Sequence, residues 1–328
     1  MRRWVAGVWV FVLLSCITEY KPEHAVGELT ELVVITNKDI FQTYMDELDT
    51  IFSKPLYLPS KEEYFDYYYG SMLEFNKYRF RRNILIIGRL GDPLIDTLLP
   101  PEYRDMVASG EDFIFGYKDL FTAEQNILII AVPSWKYLHD VLQKNGETIF
   151  NYFFNGVRRT LRGWLYGKGY NVKLSDYIKE KYHFAIKIPY GWQISFEDPA
   201  GKTIGFIRHM PERMIVIHWE DEPLGGWLTV DEIIALRNEL GKKYLYGDYV
   251  DTSMTRTYFV QFAGYYAQKV EGIWQNDERV EGGPFRTYIF GTDTRTYVID
   301  FHVFAPGEKK WYRLEQLELI VETFQPIL

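Results

Sequence analysis

The first half of the chain carries short runs that are apolar at almost every position, and each run predicts a buried β-strand. The first covers residues 32–36. The second, Asn-Ile-Leu-Ile-Ile at residues 83–87, recurs letter for letter at residues 126–130. Because such a run leaves no polar face for solvent, we predict that residues 84–87 and 127–130 are central strands covered on both sides.

Apolar residues at helical spacing predict helices between and after these strands. Asn37 can cap a helix that follows the first strand. Ser134 can cap a long amphipathic helix, or a pair of helices interrupted at Gly146, which ends near Tyr166. Strands and helices therefore alternate, and we predict an N-terminal mixed α/β domain over residues 31–166.

The pattern changes in the second half, where short alternating strands are separated by Pro- and Gly-containing turns from residue 183 onward. Thr229 and Glu232 form a capping box that predicts the start of a helix. A last helix is predicted over residues 308–324. We expect an antiparallel α+β domain over residues 171–328, so the predicted fold class is α+β: a mixed α/β domain followed by an antiparallel sheet packed with helices.

The first fifteen residues are typical of a secretory signal. A Met-Arg-Arg start is followed by an uncharged, almost wholly apolar segment at residues 4–14. A membrane-spanning helix needs roughly twenty apolar residues, so this segment is too short to stay in the bilayer. We expect a signal peptide at residues 1–15 and a polar tether at residues 16–30. An ordinary signal peptide with an incidental cysteine, or a buried N-terminal strand, stays open as an alternative.

The tail of that segment, Leu13-Leu14-Ser15-Cys16, resembles the lipobox of bacterial lipoproteins. The resemblance implies that Cys16 becomes the mature N-terminus and carries a diacylglyceryl group and an N-acyl chain. Several acyl chains anchor a protein stably to a membrane. Ile17 stands where an aspartate commonly signals inner-membrane retention, so the resemblance favours the outer membrane, on its periplasmic side. The expected location is the cell envelope.

Composition narrows the range of partners. The formal net charge is −8 and Cys16 is the only cysteine. An acidic chain has no general affinity for nucleic acid or for anionic lipid head groups, so membrane attachment is assigned to the acyl chains. With Cys16 acylated, the chain has no thiol for catalysis or disulfide formation. We expect a protein or glycan of the envelope as the partner.

The sequence predicts no cofactor and no metal site. Six histidines are spread along the chain without a close pair or an H-E-x-x-H motif, at positions 24, 139, 183, 209, 218 and 302. Serine-hydrolase motifs of the G-x-S-x-G and S-x-x-K types are also missing from the sequence.

One polar group in the second half could support acid–base chemistry. Alternate residues of a strand share a face, so Asp300 and His302 should lie together, opposite an apolar side of the same strand. His218 should face away from its own apolar neighbours, and a neighbouring strand could bring Arg286 alongside. A carboxylate beside an imidazole can orient a general base. The alternative is an ordinary polar pair on a solvated sheet face.

The favoured contact residues lie elsewhere in this half. Trp227 follows two glycines in a turn, where burial is difficult, and Gly282, Gly283 and Pro284 suggest a loop that projects together with it. Interface hot spots are enriched in Trp, Tyr and Arg. We therefore favour a non-enzymatic binding or assembly module, and the alternative is an envelope hydrolase that uses the Asp300/His302 pair.

Three motifs carry a resemblance to PsbP-like modules, which are named for an extrinsic photosystem subunit and also occur in bacterial lipoproteins. They are Phe-x-Ile-x-Ile-Pro-x-Gly-Trp at residues 184–192, Tyr-Val-Ile-Asp-Phe at 297–301, and a final helical segment that ends in Thr-Phe at 323–324. Taken whole, the chain also resembles a bacterial lipoprotein family known as a domain of unknown function. Neither resemblance implies a reaction.

Overall fold

The computed structural model describes residues 23–54, 56 and 62–327. The predicted signal peptide and Cys16 lie outside these residues. The described part of the predicted tether, residues 23–30, packs onto the protein body. His24 and Val26 form isolated bridges with Ala123 and Arg81, and the side chain of Leu29 is buried in the core. This segment is therefore integrated into the fold and does not act as a loose linker.

A five-stranded sheet forms the first half of the molecule. Its strands are β1 (Glu31–Thr36), β2 (Asp66–Ser71), β3 (Asn83–Arg89), β4 (Ile114–Lys118) and β5 (Asn126–Val132). They lie in the order β2-β1-β3-β5-β4, and only β4 runs antiparallel to its neighbour. The two repeated runs are thus interior strands, as predicted. They pair in register, and the Asn126 side-chain amide donates a hydrogen bond to Asn83 Oδ1 at 2.9 Å.

Helices cover both faces of this sheet. They are α1 (Lys38–Thr43), α2 (Met45–Phe52), α3 (Phe75–Tyr78), α4 (Pro93–Leu98), α5 (Pro101–Ser109) and α6 (Leu138–Tyr166), with 3₁₀ turns at Met72–Glu74 and Trp135–Tyr137. Helix α6 runs through Gly146 as one 29-residue element, so of the two predicted alternatives the single long helix is confirmed and the interruption at Gly146 is not observed. A Cβ atom on Gly146 would lie 3.2 Å from Ile51 Cγ1. The glycine therefore allows α2 to pack closely against α6, and it does not interrupt the helix.

A seven-stranded antiparallel sheet forms the second half. The strands of this half are β6 (Phe184–Ala185), β7 (Gln193–Asp198), β8 (Thr203–Arg208), β9 (Glu212–Glu220), β10 (Tyr249–Phe262), β11 (Tyr265–Asn276), β12 (Glu281–Gly291), β13 (Thr296–Phe304) and β14 (Gln325–Pro326). The large sheet has the order β10-β11-β12-β13-β9-β8-β7, while β6 pairs with β14. Within the described residues, β10 is an edge strand with one outer side unpaired.

Three further helices are α7 (Val172–Tyr182), α8 (Val230–Tyr244) and α9 (Trp311–Val321). Helix α8 begins at the predicted capping box: Thr229 Oγ1 accepts from the Glu232 amide, and Glu232 Oε2 accepts from the Thr229 amide. Helix α8 packs on one face of the antiparallel sheet and α9 on the other. The predicted fold class, a mixed sheet followed by an antiparallel sheet packed with helices, is confirmed.

The two sheets share one apolar core. Side chains of α6 and α9 belong to the same buried cluster, and Arg158 of α6 forms a 2.5 Å ion pair with Glu315 of α9. The boundary predicted between residues 166 and 171 stays a prediction. Contacts across it mean that the antiparallel half is held against the first half along α9.

Candidate functional site

The predicted polar pair lies on the α8 face of the antiparallel sheet. Along β13, Ile299 and Phe301 point into the core shared with α9, whereas Asp300 and His302 point toward α8. The alternation of side chains expected from the sequence is therefore present. Both polar side chains are nevertheless almost completely buried, so the solvated sheet face that was the alternative interpretation does not describe them.

The Asp300 carboxylate accepts hydrogen bonds from two neighbouring side chains. Its Oδ1 accepts a hydrogen bond from Arg237 Nε of α8 at 3.2 Å and another from Thr287 Oγ1 of β12 at 2.6 Å. Burial alone would raise the pKa of the Asp300 carboxyl, but Arg237, the nearby His302 and the Thr287 hydroxyl together hold this pKa below its usual range. The carboxylate thus neutralises a buried arginine and ties α8 to the sheet.

His302 is close to this carboxylate without bonding to it. Its Nδ1 lies 3.6 Å from Asp300 Oδ2, beyond hydrogen-bond geometry, and its ring lies 5.2 Å from the Trp274 ring between centroids. A general base needs a bonded orienting group, and Asp300 does not supply that bond here. The pair is therefore brought together as predicted, but its geometry is not that of a His–Asp dyad.

The two further candidates do not join this pair. His218 shares its sheet face, yet its ring nitrogens contact Thr203 Oγ1 at 2.9 Å and Glu220 Oε1 at 3.3 Å. Burial lowers the pKa of His218. The placement of Arg286 beside Asp300 is wrong, because Arg286 stands opposite Phe301 and so lies on the α9 face. The register of β12 decides this, since it puts Thr287 beside Asp300.

On that opposite face Arg286 is neutralised by three carboxylates. Its guanidinium lies 2.8 Å from Glu271, 2.6 Å from Glu315 and 2.8 Å from Glu318. Burial would lower the pKa of Arg286, but these acids raise it. Glu318 also accepts a hydrogen bond from the Tyr288 hydroxyl. This network joins the sheet to α9 and is structural.

His302 lines a cleft of about 530 Å³ on the α8 face of the antiparallel sheet. Its floor takes one residue from each of four adjacent strands, namely His302, Met214, Ile207 and Gln193. The wall of the cleft is formed by the segment after α8 and by the β11–β12 hairpin. It includes Leu245, Tyr246, Asp248, Trp274, Arg279 and Glu281. We call this site the Asp248 cleft.

Asp248 is the polar residue that sequence reasoning missed. It lies 6% exposed between α8 and β10, and its Oδ1 accepts from Asn276 Nδ2 at 2.8 Å. Burial raises the pKa of Asp248. In the sequence it is a single aspartate in a turn. Only the path of the chain from α8 into β10 brings it beside Trp274 and His302, so no local pattern could have identified it.

A second surface lies at the opposite end of β11. Trp227 is 51% exposed, as predicted, and two aromatic residues that were not predicted flank it: Phe259 at 64% and Tyr266 at 70%. The rings of Trp227 and Phe259 meet edge to face with centroids 5.2 Å apart. We call these three residues the β10 surface. Trp227 and Tyr266 line an open cleft of about 580 Å³.

The Trp227 turn is fixed to the sheet by its next residue. The Leu228 amide donates to Gln268 Oε1 at 2.9 Å, and Gln268 Nε2 donates to the Leu228 carbonyl at 2.7 Å. This pair of bonds positions the exposed indole beside β10. Exposure of Trp227 is therefore observed, whereas its role in binding stays a prediction.

The loop predicted beside it is not a loop. Gly282, Gly283 and Pro284 belong to β12, and the last two are buried. A Cβ atom on Gly283 would lie 1.9 Å from the Val303 carbonyl oxygen. The glycine is needed for close contact between strands, and not for a flexible turn. The hairpin turn occupies only residues 277–280, so these three residues do not form a projecting contact surface.

Two further properties concern the described part of the chain. Within residues 23–54, 56 and 62–327, no group of three His, Cys, Asp or Glu side chains is placed to hold a metal ion. In the same ranges no helix is both long and apolar enough to cross a membrane. The 29-residue α6 carries polar and charged residues along its length.

Comparison with solved structures gives weak likenesses. A crystal structure from Bacteroides thetaiotaomicron VPI-5482 matches at 17% identity with a TM-score of 0.28, over 44% of this chain and 45% of that one, so this chain spans less than half of that protein. LpqN of Mycobacterium tuberculosis, described as involved in cell envelope biogenesis, matches at 14% identity with a TM-score of 0.30. The match covers 44% of this chain and 83% of that one. PsbP (CyanoP) from Synechocystis sp. PCC 6803 matches at 13% identity with a TM-score of 0.30, over 44% of this chain and 88% of that one. Scores this low establish neither a common fold nor a shared role.

No curated protein matches the chain. A family model does match its second half, over residues 171–323, and this family is described as a domain of unknown function, DUF4837. The matched segment contains α7, the whole seven-stranded sheet and α9. The antiparallel half of the chain therefore contains a DUF4837 domain.

Proposed function

We propose that this chain is a lipid-anchored assembly protein of the cell envelope, which binds an extended segment of a partner protein along β10. The observation that carries the proposal is the β10 surface, where Trp227, Phe259 and Tyr266 are exposed beside a 14-residue edge strand. Large aromatic side chains that are exposed together mark contact sites more often than scattered apolar residues do.

The edge strand supplies the backbone part of the interaction. On its outer side β10 has no paired strand among the described residues, so some of its amide and carbonyl groups can pair with an incoming strand. Strand addition of this kind draws affinity from main-chain hydrogen bonds and specificity from side-chain contacts. Alternate side chains of such a strand would contact Phe259, which belongs to β10, and through it the Trp227 ring that packs against it.

The lipid anchor is the part of the proposal that is supported by the sequence and not by the structure. Acylation at Cys16 would hold the chain at the membrane surface, and Ile17 favours the outer membrane, with the protein body facing the periplasm. Mass spectrometry of the mature N-terminus tests this part. The expected result is a triacylated peptide that begins at Cys16, and an unmodified Cys16 or a retained Met1 would overturn it.

A hydrolase at the Asp248 cleft is the less supported alternative. Asp300 is bonded to Arg237 and Thr287 and leaves His302 without an orienting bond. Ser195 lines the same cleft but belongs to β7. Strand β7 lies three strand spacings from β13, about 14 Å at the backbone, so Ser195 and His302 cannot form a nucleophile–base pair without rearrangement.

The binding site can be tested by placing a photo-crosslinker on the full chain in its native envelope. We would exchange Tyr266 for p-benzoylphenylalanine, and exchange Tyr190, which precedes β7 and is also exposed, as the control. The proposal expects one protein adduct at position 266 that is absent at position 190 and maps to an extended segment of the partner. No adduct, an adduct shared by both positions, or an adduct to polysaccharide would overturn it.

A further inference from the structure

We propose that the Asp248 cleft is a binding site for a small hydrophilic ligand that bears a primary ammonium group. The argument rests on a buried carboxylate without an ion-pair partner, on the indole side chain that lines the same cleft, and on the charge of the cleft lining. None of these features belongs to the β10 surface, so the inference is independent of the proposed function.

Asp248 is the group that would receive the ammonium. Its only hydrogen bond in the described structure comes from the Asn276 amide, and no Lys, Arg or His side chain forms an ion pair with it. A carboxylate can accept about four hydrogen bonds. The charges of His302, Arg237 and Arg279 act on this carboxylate from a greater distance. None of them forms an ion pair with it, and a buried carboxylate without a paired cation is unfavourable. Its position in a cleft wall therefore points to a cation that comes from outside the chain.

Trp274 stands beside it as a second unsatisfied group. The indole is 2% exposed and its Nε1–H has no hydrogen-bond acceptor among the described residues. Buried tryptophan N–H groups usually find a partner. The face of an indole also attracts cations. A ligand with an ammonium group would pair with Asp248 and contact the Trp274 side chain, which lines the same cleft.

The rest of the lining has the matching charge. Glu212 and Glu281 add two carboxylates to that of Asp248, and Arg279 is the one guanidinium in the lining. Arg279 is already paired, because its Nε lies 3.0 Å from Glu281 Oε2. Carboxylates thus outnumber the permanent cation, and a cationic ligand is favoured over an anionic one.

The mouth of the cleft also offers an apolar contact. The Arg279 guanidinium lies 4.8 Å above the Tyr246 ring, and this ring is 77% exposed at the rim. The walls below it include the buried side chains of Leu245 and Met214. A cleft of about 530 Å³ with this mixture of surfaces holds a molecule of roughly monosaccharide to head-group size.

The two sites are well separated. Tyr266 of the β10 surface and Trp274 of the Asp248 cleft lie eight residues apart on β11, which corresponds to about 27 Å. Ligand at one site therefore does not contact the other. The ammonium could belong to an amino sugar or to the head group of an aminophospholipid, and the test separates these two sources.

The test is titration of the purified protein, with the ¹⁵N–¹H signal of the Trp274 indole as the readout. This signal is assigned by its loss in Trp274→Phe. The probes are glucosamine for the amino-sugar source, glycerophosphoethanolamine for the head-group source, and glucose as the uncharged match of glucosamine. We expect a saturable shift with at least one amine probe at millimolar concentration, and at least tenfold weaker binding of glucose.

Asp248→Asn keeps the shape of the site and the bond from Asn276, and should weaken the bound amine at least tenfold. Glu278→Gln is the matched control, because it removes one negative charge from the adjoining hairpin outside the cleft lining. It should leave the affinity within twofold. A circular dichroism spectrum confirms that each variant is folded. The proposal is overturned if neither amine shifts the indole signal, if glucose binds as tightly as glucosamine, or if Asp248→Asn binds like the parent protein.

Discussion

The Arg237 guanidinium and the Asp300 carboxylate form an ion pair of 3.2 Å, in which each side chain is only 1% exposed. The guanidinium carbon also lies 4.3 Å from the centre of the Phe285 ring. Helix α8 is thereby joined to the middle of the antiparallel sheet by one charged contact. Breaking such a pair leaves a buried charge without compensation, which is more harmful than never having had the pair.

Arg237→Met should therefore lower the free energy of unfolding by about 3–5 kcal/mol, measured by urea denaturation. The double variant Arg237→Met with Asp300→Asn is the control. It removes both charges and should recover a large part of the loss. A single-variant loss below about 1 kcal/mol would show that Asp300 is satisfied without Arg237.

Acid stability should depend on Glu197. Its carboxylate accepts from the Tyr177 hydroxyl at 2.7 Å, from Lys181 Nζ at 2.9 Å and from the Tyr182 hydroxyl. Burial alone would raise the pKa of Glu197, but these bonds lower it to about 2. A pKa that is depressed on folding stabilises the protein above the unfolded value, near 4.3, and this contribution is lost as the pH falls toward 2.

Glu197→Gln should consequently flatten the decline in melting temperature between about pH 4 and pH 2. Glu180→Gln, an exposed position on α7, is the control and should keep the slope of the parent protein. Equal slopes for Glu197→Gln and the parent would mean that this carboxylate does not titrate in that window.

Gly283→Ala should destabilise the protein by about 1–3 kcal/mol, because the added Cβ would lie 1.9 Å from the Val303 carbonyl oxygen and push β12 away from β13. Gly225→Ala is the control, since a Cβ there meets no atom within 4 Å. Thermal or urea unfolding of the two variants checks the difference. Equal stability would show that the two strands separate without cost.

Asp248→Asn should stabilise the ligand-free protein at pH 7 while it weakens amine binding at least tenfold. Burial raises the pKa of Asp248, although Asn276 and the charges of His302, Arg237 and Arg279 act in the opposite direction. The folded state then holds the proton more tightly, so stability falls as the pH rises above the unfolded value near 3.9. The expected gain is about 0.5–2 kcal/mol. Unchanged or lower stability at pH 7 would mean that the charge is compensated within the chain.

Patterns within single elements could be predicted from the sequence. The uniformly apolar runs at β3 and β5 identified interior strands, and the capping box at Thr229 identified the first residue of α8. Alternation along β13 placed Asp300 and His302 on one face. Each of these features depends only on residues that are close together in the sequence, so it can be predicted without knowing the fold.

Features that depend on register and on distant contacts could not be predicted in this way. Arg286 was placed on the wrong face because a shift of one residue in β12 decides its side. Gly146 and Gly283 resemble turn residues, yet both allow another segment to approach closely. Asp248 became a candidate only through the path of the chain between α8 and β10. The partner of Trp227 on the exposed surface, Phe259, comes from another element for the same reason.

The most direct test of the central claim is the crosslink at position 266 measured in Trp227→Ala. Trp227 is half exposed, so its loss should leave the free energy of unfolding within about 0.5 kcal/mol of the parent protein. Trp219→Ala is the control for stability, because Trp219 is 5% exposed in the core and its loss should cost about 3–5 kcal/mol.

If the β10 surface binds a partner protein, Trp227→Ala will fold like the parent protein and the crosslinked adduct at position 266 will fall at least tenfold, in keeping with a hot-spot contribution. An adduct of undiminished yield in the folded Trp227→Ala variant, or unfolding of that variant, would contradict the claim that this indole is a contact residue.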